Sequence, residues 1–165
     1  MTISTLSRSP ARTRALAAQI ARRLGGGDVI GLVGDLGSGK TCFVKGVAAG
    51  LGIAQDEVQS PSFTMVAEHE RGRLPLVHVD LYRLRGPDGV AELGLEEYVS
   101  GSAVVAVEWF DRLPPGFVDE YLLVRLTDAG PSARLVTLRA DGSRYQALLE
   151  GLCARVGLDV CGVRR

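Results

Sequence analysis

Asp28-Val29-Ile30-Gly31-Leu32-Val33-Gly34-Asp35-Leu36-Gly37-Ser38-Gly39-Lys40-Thr41 is the stretch whose reading decides the fold. Its first part, Asp28 to Val33, is short, largely apolar and β-branched, as expected of a strand covered on both faces. Its second part, Gly34 to Thr41, matches the phosphate-loop pattern G-x-x-x-x-G-K-[ST] in full. Beyond it, Phe43, Val44, Val47, Ala48 and Leu51 recur at helical spacing, and Gly50 and Gly52 mark the helix end. The glycine pattern thus sits between a buried strand and a helix, the context its chemistry needs. At this composition, chance would produce the pattern in roughly 0.3% of chains of this length.

Each residue type in the loop has a physical task. The loop glycines permit backbone angles closed to other residues and bring N–H groups within reach of phosphate oxygens. The helix opening here adds unpaired donors and the positive end of its dipole. Lys40 supplies a compact mobile charge for β- and γ-phosphates. The choice is telling, because only Lys40 and Lys45 are lysines among 19 basic residues. Thr41 offers a hydroxyl to magnesium. Asp35, Leu36, Gly37, Ser38, Gly39, Lys40 and Thr41 are therefore expected to bind a nucleoside triphosphate, with Mg2+ as its counter-ion.

Working outward, Ser9-Pro10 reads as the cap and first residue of a helix carried by Leu16, Ile20 and Leu24 and stopped by Gly25-Gly26-Gly27. Phe63 to Glu70 and Leu74 to Leu81 are strand-like runs around Arg71-Gly72-Arg73, and a helical stretch covers Pro87 to Leu93 before a turn at Gly94. Ala103 to Val107 is a second continuous apolar strand, followed by the loop Leu113-Pro114-Pro115-Gly116. Tyr121 to Thr127 and Arg134 to Ala140 alternate in polarity around Asp128-Ala129-Gly130-Pro131, the pattern of an antiparallel hairpin with one solvated face. A last helix, Arg144 to about Val156, carries Tyr145, Leu148, Leu149 and Leu152. The expected architecture is α/β: a P-loop NTPase-like three-layer fold with a central mixed, partly parallel sheet and a C-terminal antiparallel hairpin. No repeat or linker divides the chain, so residues 1–165 read as one domain.

Composition limits the alternatives. A chain of 165 residues with 46% hydrophobic and 23% charged content supports a core, and 21 glycines with 7 prolines and no three-residue period exclude collagen and low complexity. Nineteen basic and nineteen acidic residues cancel, which with 5% aromatic residues gives no reason to expect direct tRNA contact. Cys42, Cys153 and Cys161 fit neither a disulfide framework nor a zinc site. No apolar run approaches the roughly 18 residues of a membrane span, so a cytoplasmic protein away from membranes is expected.

Hydrolysis also needs acids at the carboxyl ends of neighbouring strands. Asp80 and Glu108 stand there; one would contact the metal and the other would orient or deprotonate water, an assignment the residues themselves leave open. Ser60-Pro61-Ser62-Phe63-Thr64 suits either a γ-phosphate switch or plain turn chemistry. His78 reads as a core histidine or one supporting a site residue. Trp109 reads as packing near the site, and Arg83 and Arg85 as a solvated loop in preference to an arginine finger.

In order along the chain, Gly34-Asp35-Leu36-Gly37-Ser38-Gly39-Lys40-Thr41, Ser60 to Thr64, His78-Val79-Asp80-Leu81-Tyr82-Arg83-Leu84, Gly94-Leu95-Glu96-Glu97-Tyr98 and Glu108-Trp109 resemble the TsaE (YjeE) family. That family is the ATPase of the bacterial machinery making threonylcarbamoyladenosine next to the anticodon of tRNA. The resemblance implies that the nucleotide is ATP, that Thr41 and Glu108 hold magnesium, that Asp80 acts in hydrolysis and that Trp109 lies beside the nucleotide; Lys40, from the loop itself, is expected to act in hydrolysis as well as binding, and Ser62 to meet the nucleotide and its metal as part of the switch segment. It implies TsaB and TsaD as partners. Ser62 replaces the family's usual threonine, and Phe110-Asp111 stands where proline and glutamate are frequent. Two other classes compete: a small-molecule kinase, which needs an arginine-bearing lid that no insertion before the last helix supplies, and a nucleotide-sensing module with negligible turnover.

Overall fold

The computed structural model describes residues 1–86 and 88–155. In chain order it comprises β1 (Thr2–Ser7), α1 (Pro10–Ala21), β2 (Val29–Val33), α2 (Lys40–Leu51), β3 (Val66–His69), β4 (Leu76–Asp80), α3 (Asp88–Glu92), α4 (Leu95–Val99), β5 (Val104–Glu108), β6 (Tyr121–Asp128), β7 (Arg134–Asp141) and α5 (Ser143–Arg155). The strands form one seven-stranded sheet in the order β1-β7-β6-β2-β5-β4-β3. β6, β2, β5 and β4 run parallel, whereas β3 and β7 are antiparallel to their neighbours. The expected mixed, partly parallel sheet with a C-terminal hairpin is the observed one.

The apolar runs become central strands because both faces of the sheet are covered. On one face α1, α2 and α5 pack over Ile30, Leu32, Ala106 and Val124. On the other, Val90 of α3 and Leu95 of α4 join the loop residues Phe110, Leu113 and Phe117 over Val29, Val79 and Val107. Gly31 has a packing reason, since a Cβ there would lie 2.5 Å from the Phe110 ring. α1 begins as its sequence foretells, with Ser9 Oγ accepting from Arg12 N–H and Pro10 in the first turn.

Several boundaries differ from expectation. No strand is expected before Ser9, yet β1 pairs along its length with β7. Its two apolar residues, Ile3 and Leu6, stand three apart, so no period-2 pattern announces a strand, and an edge strand needs its partner to be stable. β3 starts at Val66 instead of Phe63; Phe63 lies in a turn, 82% exposed, because the loop turns at Met65 with φ +65°. β4 begins at Leu76 instead of Leu74, and α4 follows the expected turn at Gly94. The expected helical position of Pro87, the C-terminal helix limit at Val156, and Cys161 lie outside the described residues.

Candidate functional site

β2 stops at Val33 because Gly34 must turn where no side chain fits: a Cβ there would meet Leu126 O at 2.5 Å and Ser38 Oγ at 2.7 Å. Gly37 and Gly39 take φ +77° and +103°, the left-handed region that glycine tolerates. α2 then opens at Lys40 with Gly39 as its cap and no side chain on its first donors. The helix N-terminus therefore presents amides to whatever occupies the loop's hollow.

Lys40 arches back over this hollow. Its Nζ donates to Gly34 O at 2.6 Å and Asp35 O at 2.9 Å, and lies 3.9 Å from the centre of the Trp109 ring. Burial holds the ammonium below its ordinary pKa, while Glu108 and Asp80 pull the other way. Trp109 has φ +60°, a conformation a bulky residue adopts only when its surroundings impose it. Here Tyr82, with ring centres 5.2 Å apart, and the Arg112 guanidinium, 5.1 Å from the ring, flank the indole.

Asp80 and Glu108 are register partners at the carboxyl ends of the parallel strands β4 and β5, both almost fully buried. Glu108 Oε1 accepts from Thr41 Oγ1 at 2.7 Å and contacts His78 Nε2 at 2.8 Å. Asp80 Oδ2 accepts from Ser60 Oγ at 2.5 Å and Oδ1 from Tyr82 N–H at 2.9 Å. Two carboxylates that repel one another are thus each held by separate donors. His78 is fully buried, supports Glu108 and leaves its Nδ1 without a partner.

These elements frame a cleft of about 410 Å³ lined by Leu36, Gly37, Gly39, Lys40, Thr41, Ser62, Asp80, Glu108 and Trp109, along with Ser60, Tyr82 and Arg83. Two other residues expected to bind the nucleotide lie off this lining. Asp35 is exposed and contributes its carbonyl to Lys40, and the Ser38 side chain is buried beneath the loop against Gly34. The Arg83 guanidinium sits 4.5 Å from the centre of the exposed Phe63 ring.

Sequence reasoning did not single out Arg134, whose Nε donates to Ser38 O at 2.9 Å and Nη2 to Gly37 O at 3.3 Å. No local pattern announces a contact spanning 96 residues. Nor did it foresee Tyr82 and Arg112 around Trp109; the Tyr82 position two residues after Asp80 was the available hint.

Among the described residues no group of three or more His, Cys, Asp or Glu side chains is disposed to hold a metal ion. The oxygens of Thr41 and Glu108, in mutual contact with Asp80 on the next strand, nevertheless fit magnesium, which takes few protein ligands and completes its shell with water and phosphate.

A family model described as "Threonylcarbamoyl adenosine biosynthesis protein TsaE" matches residues 7–136. A protein of Bacillus subtilis (strain 168), described as tRNA threonylcarbamoyladenosine biosynthesis protein TsaE, is 43% identical over 144 residues, covering 87% of this chain and 89% of its own. A protein of Treponema pallidum (strain Nichols) with the same description is 38% identical over 133 residues, covering 81% and 97%. The crystal structure of Bacillus subtilis YdiB superposes with a TM-score of 0.75 at 37% identity, over 93% of this chain and 95% of that one. No helix among the described residues is long and apolar enough to cross a membrane.

Proposed function

Since the chain belongs to the TsaE family, with its role in tRNA threonylcarbamoyladenosine biosynthesis, we propose that it binds Mg·ATP in this cleft and hydrolyses it in support of a TsaB–TsaD complex. One observation carries the reading: a glycine loop, an ammonium, a hydroxyl and two carboxylates from adjacent parallel strands converge on one hollow.

The loop amides and Lys40 bind the triphosphate, and Lys40 exchanges its carbonyl partners for β- and γ-phosphate oxygens. Thr41 and Glu108 would hold Mg2+, which neutralises charge on those oxygens when bound. Asp80 orients a water in line with the γ-phosphorus and accepts its proton as the new P–O bond forms; the bond to the β-phosphate oxygen breaks, leaving ADP and phosphate. His78 keeps Glu108 aimed at Thr41. Ser60, bonded to Asp80, and Ser62, on the cleft wall, tie the loop before β3 to the state of the γ-phosphate. Trp109 lies beside the bound nucleotide.

The test follows the γ-phosphate. ATP labelled there and incubated with Mg2+, TsaB and TsaD should release free phosphate faster than without the partners. Label appearing in a metabolite would make the protein a kinase. Tight ATP binding without accelerated release would make it a nucleotide sensor.

A further inference from the structure

The geometry points to Arg134 as a positioning residue of the nucleotide site, one that shapes the phosphate loop from behind without lining the cleft. The inference rests on the proposed Mg·ATP reading for its consequence, though not for its geometry. Arg134 opens β7, and its side chain, 21% exposed, lies between the β6–β7 turn and the loop. One edge of the guanidinium, Nε and Nη2, donates to the consecutive carbonyls of Ser38 and Gly37 at 2.9 and 3.3 Å. The other, through Nη1, donates to Ala133 O at 2.7 Å and Gly130 O at 3.1 Å. Asp128, 3.8 Å from Nη1, is itself fixed by accepting from Gly130 N–H.

The consequence lies in peptide geometry. In a trans peptide the carbonyl and the following N–H point in opposite directions. Holding Ser38 O toward Arg134 therefore turns the Gly39 N–H away from it, toward the side where Gly39, Lys40 and Thr41 line the cleft. Ser38 N–H closes the loop onto Asp35 O at 3.0 Å, so the same clamp on Gly37 O holds that turn in register. Flexible glycines on both sides of Ser38 would otherwise let these peptides rotate. Only a planar fork serves two adjacent carbonyls on one edge and a turn on the other; an ammonium of similar reach is a point donor.

The experiment compares wild type with Arg134→Lys, Arg134→Ala and, as a control for losing a β7 arginine, Arg139→Gln. Amide hydrogen exchange of Ser38, whose N–H is bonded to Asp35 O, is measured in the ligand-free proteins, and Mg·ATP affinity by calorimetry. Exchange should speed up about tenfold or more in both Arg134 variants and stay at the wild-type rate in Arg139→Gln. Affinity should fall by about tenfold or more in step, with methylguanidinium, but not methylammonium at equal ionic strength, restoring it in Arg134→Ala. Should Arg134→Ala fail to fold, Arg134→Lys decides alone. Wild-type exchange in Arg134→Lys would overturn the clamp. Faster exchange with unchanged affinity would overturn its role in nucleotide binding. Absence of Mg·ATP binding by the wild type would instead sink the nucleotide reading, with the exchange data still judging the clamp.

Discussion

At the scale of single residues, the site separates binding from bond cleavage. Lys40 is the cation that reaches the loop carbonyls in the hollow, and its loss should weaken triphosphate binding by about tenfold or more, measured by calorimetry; unchanged affinity would remove its assigned contact. Asp80→Asn keeps the shape and the Tyr82 N–H bond, so ATP affinity should hold while hydrolysis slows by about 10²- to 10⁴-fold. Near-normal turnover would take Asp80 out of the chemistry. Trp109, the sole tryptophan, covers the Lys40 ammonium, so its fluorescence should change when that ammonium leaves Gly34 and Asp35 for phosphate. A flat titration at saturating Mg·ATP would argue that Lys40 never moves. The loop residues were legible because glycine, lysine and threonine have few reasons to stand at that spacing. Arg134 was not, because an arginine in a strand announces charge and never its partner.

Among elements, the packing of α1 on α2 and of α5 on β2 carries the loop. Gly46 and Gly50 let α2 approach the backbone of α1: a Cβ at Gly46 would collide with Arg14 O and lie 2.7 Å from the Ala17 Cβ. Gly46→Leu should destabilise by about 1–3 kcal/mol or more, read as a lower urea midpoint. On α5, Tyr145 is buried and its hydroxyl accepts the Val29 N–H at 2.6 Å, anchoring the start of the loop-bearing strand. Burial pushes the phenol well above its ordinary value of 10.0, so the folded state keeps a proton that the unfolded state loses. This contribution is fully present below that ordinary value and is lost as pH rises beyond it. Stability measured from neutral to strongly alkaline pH should therefore fall steeply above about pH 10 in wild type and less so in Tyr145→Phe. That variant should already be weaker at neutral pH by about 1–3 kcal/mol, since it orphans a buried N–H; identical curves would contradict the anchoring role. The helices were legible from their caps and spacing, with Gly52 closing α2 as expected, but that Gly46 and Gly50 form a packing surface became visible only once α1 lay against them.

For the whole molecule, ligand and fold are linked, because a ligand that binds only the folded state stabilises it. Mg·ATP at about 100 times its dissociation constant should add about 2.7 kcal/mol, raising Tm by about 5–10 °C in a domain of this size. Lys40→Ala, binding about tenfold or more weaker, should lose about half of that shift or more while keeping a similar Tm without ligand; an equal shift in both would place the nucleotide elsewhere. Alone, the sequence determined the phosphate loop, the apolar strands around it and the two strand-end acids, because hydrophobic period and glycine spacing are local consequences of backbone geometry. Only the tertiary structure decided that Asp80 and Glu108 face each other on neighbouring strands, that Thr41 and His78 converge on one carboxylate oxygen, and that β1 closes the sheet beside β7. Those relations depend on strand order and on the ends of long side chains, and no period within the chain records which distant segment will lie alongside.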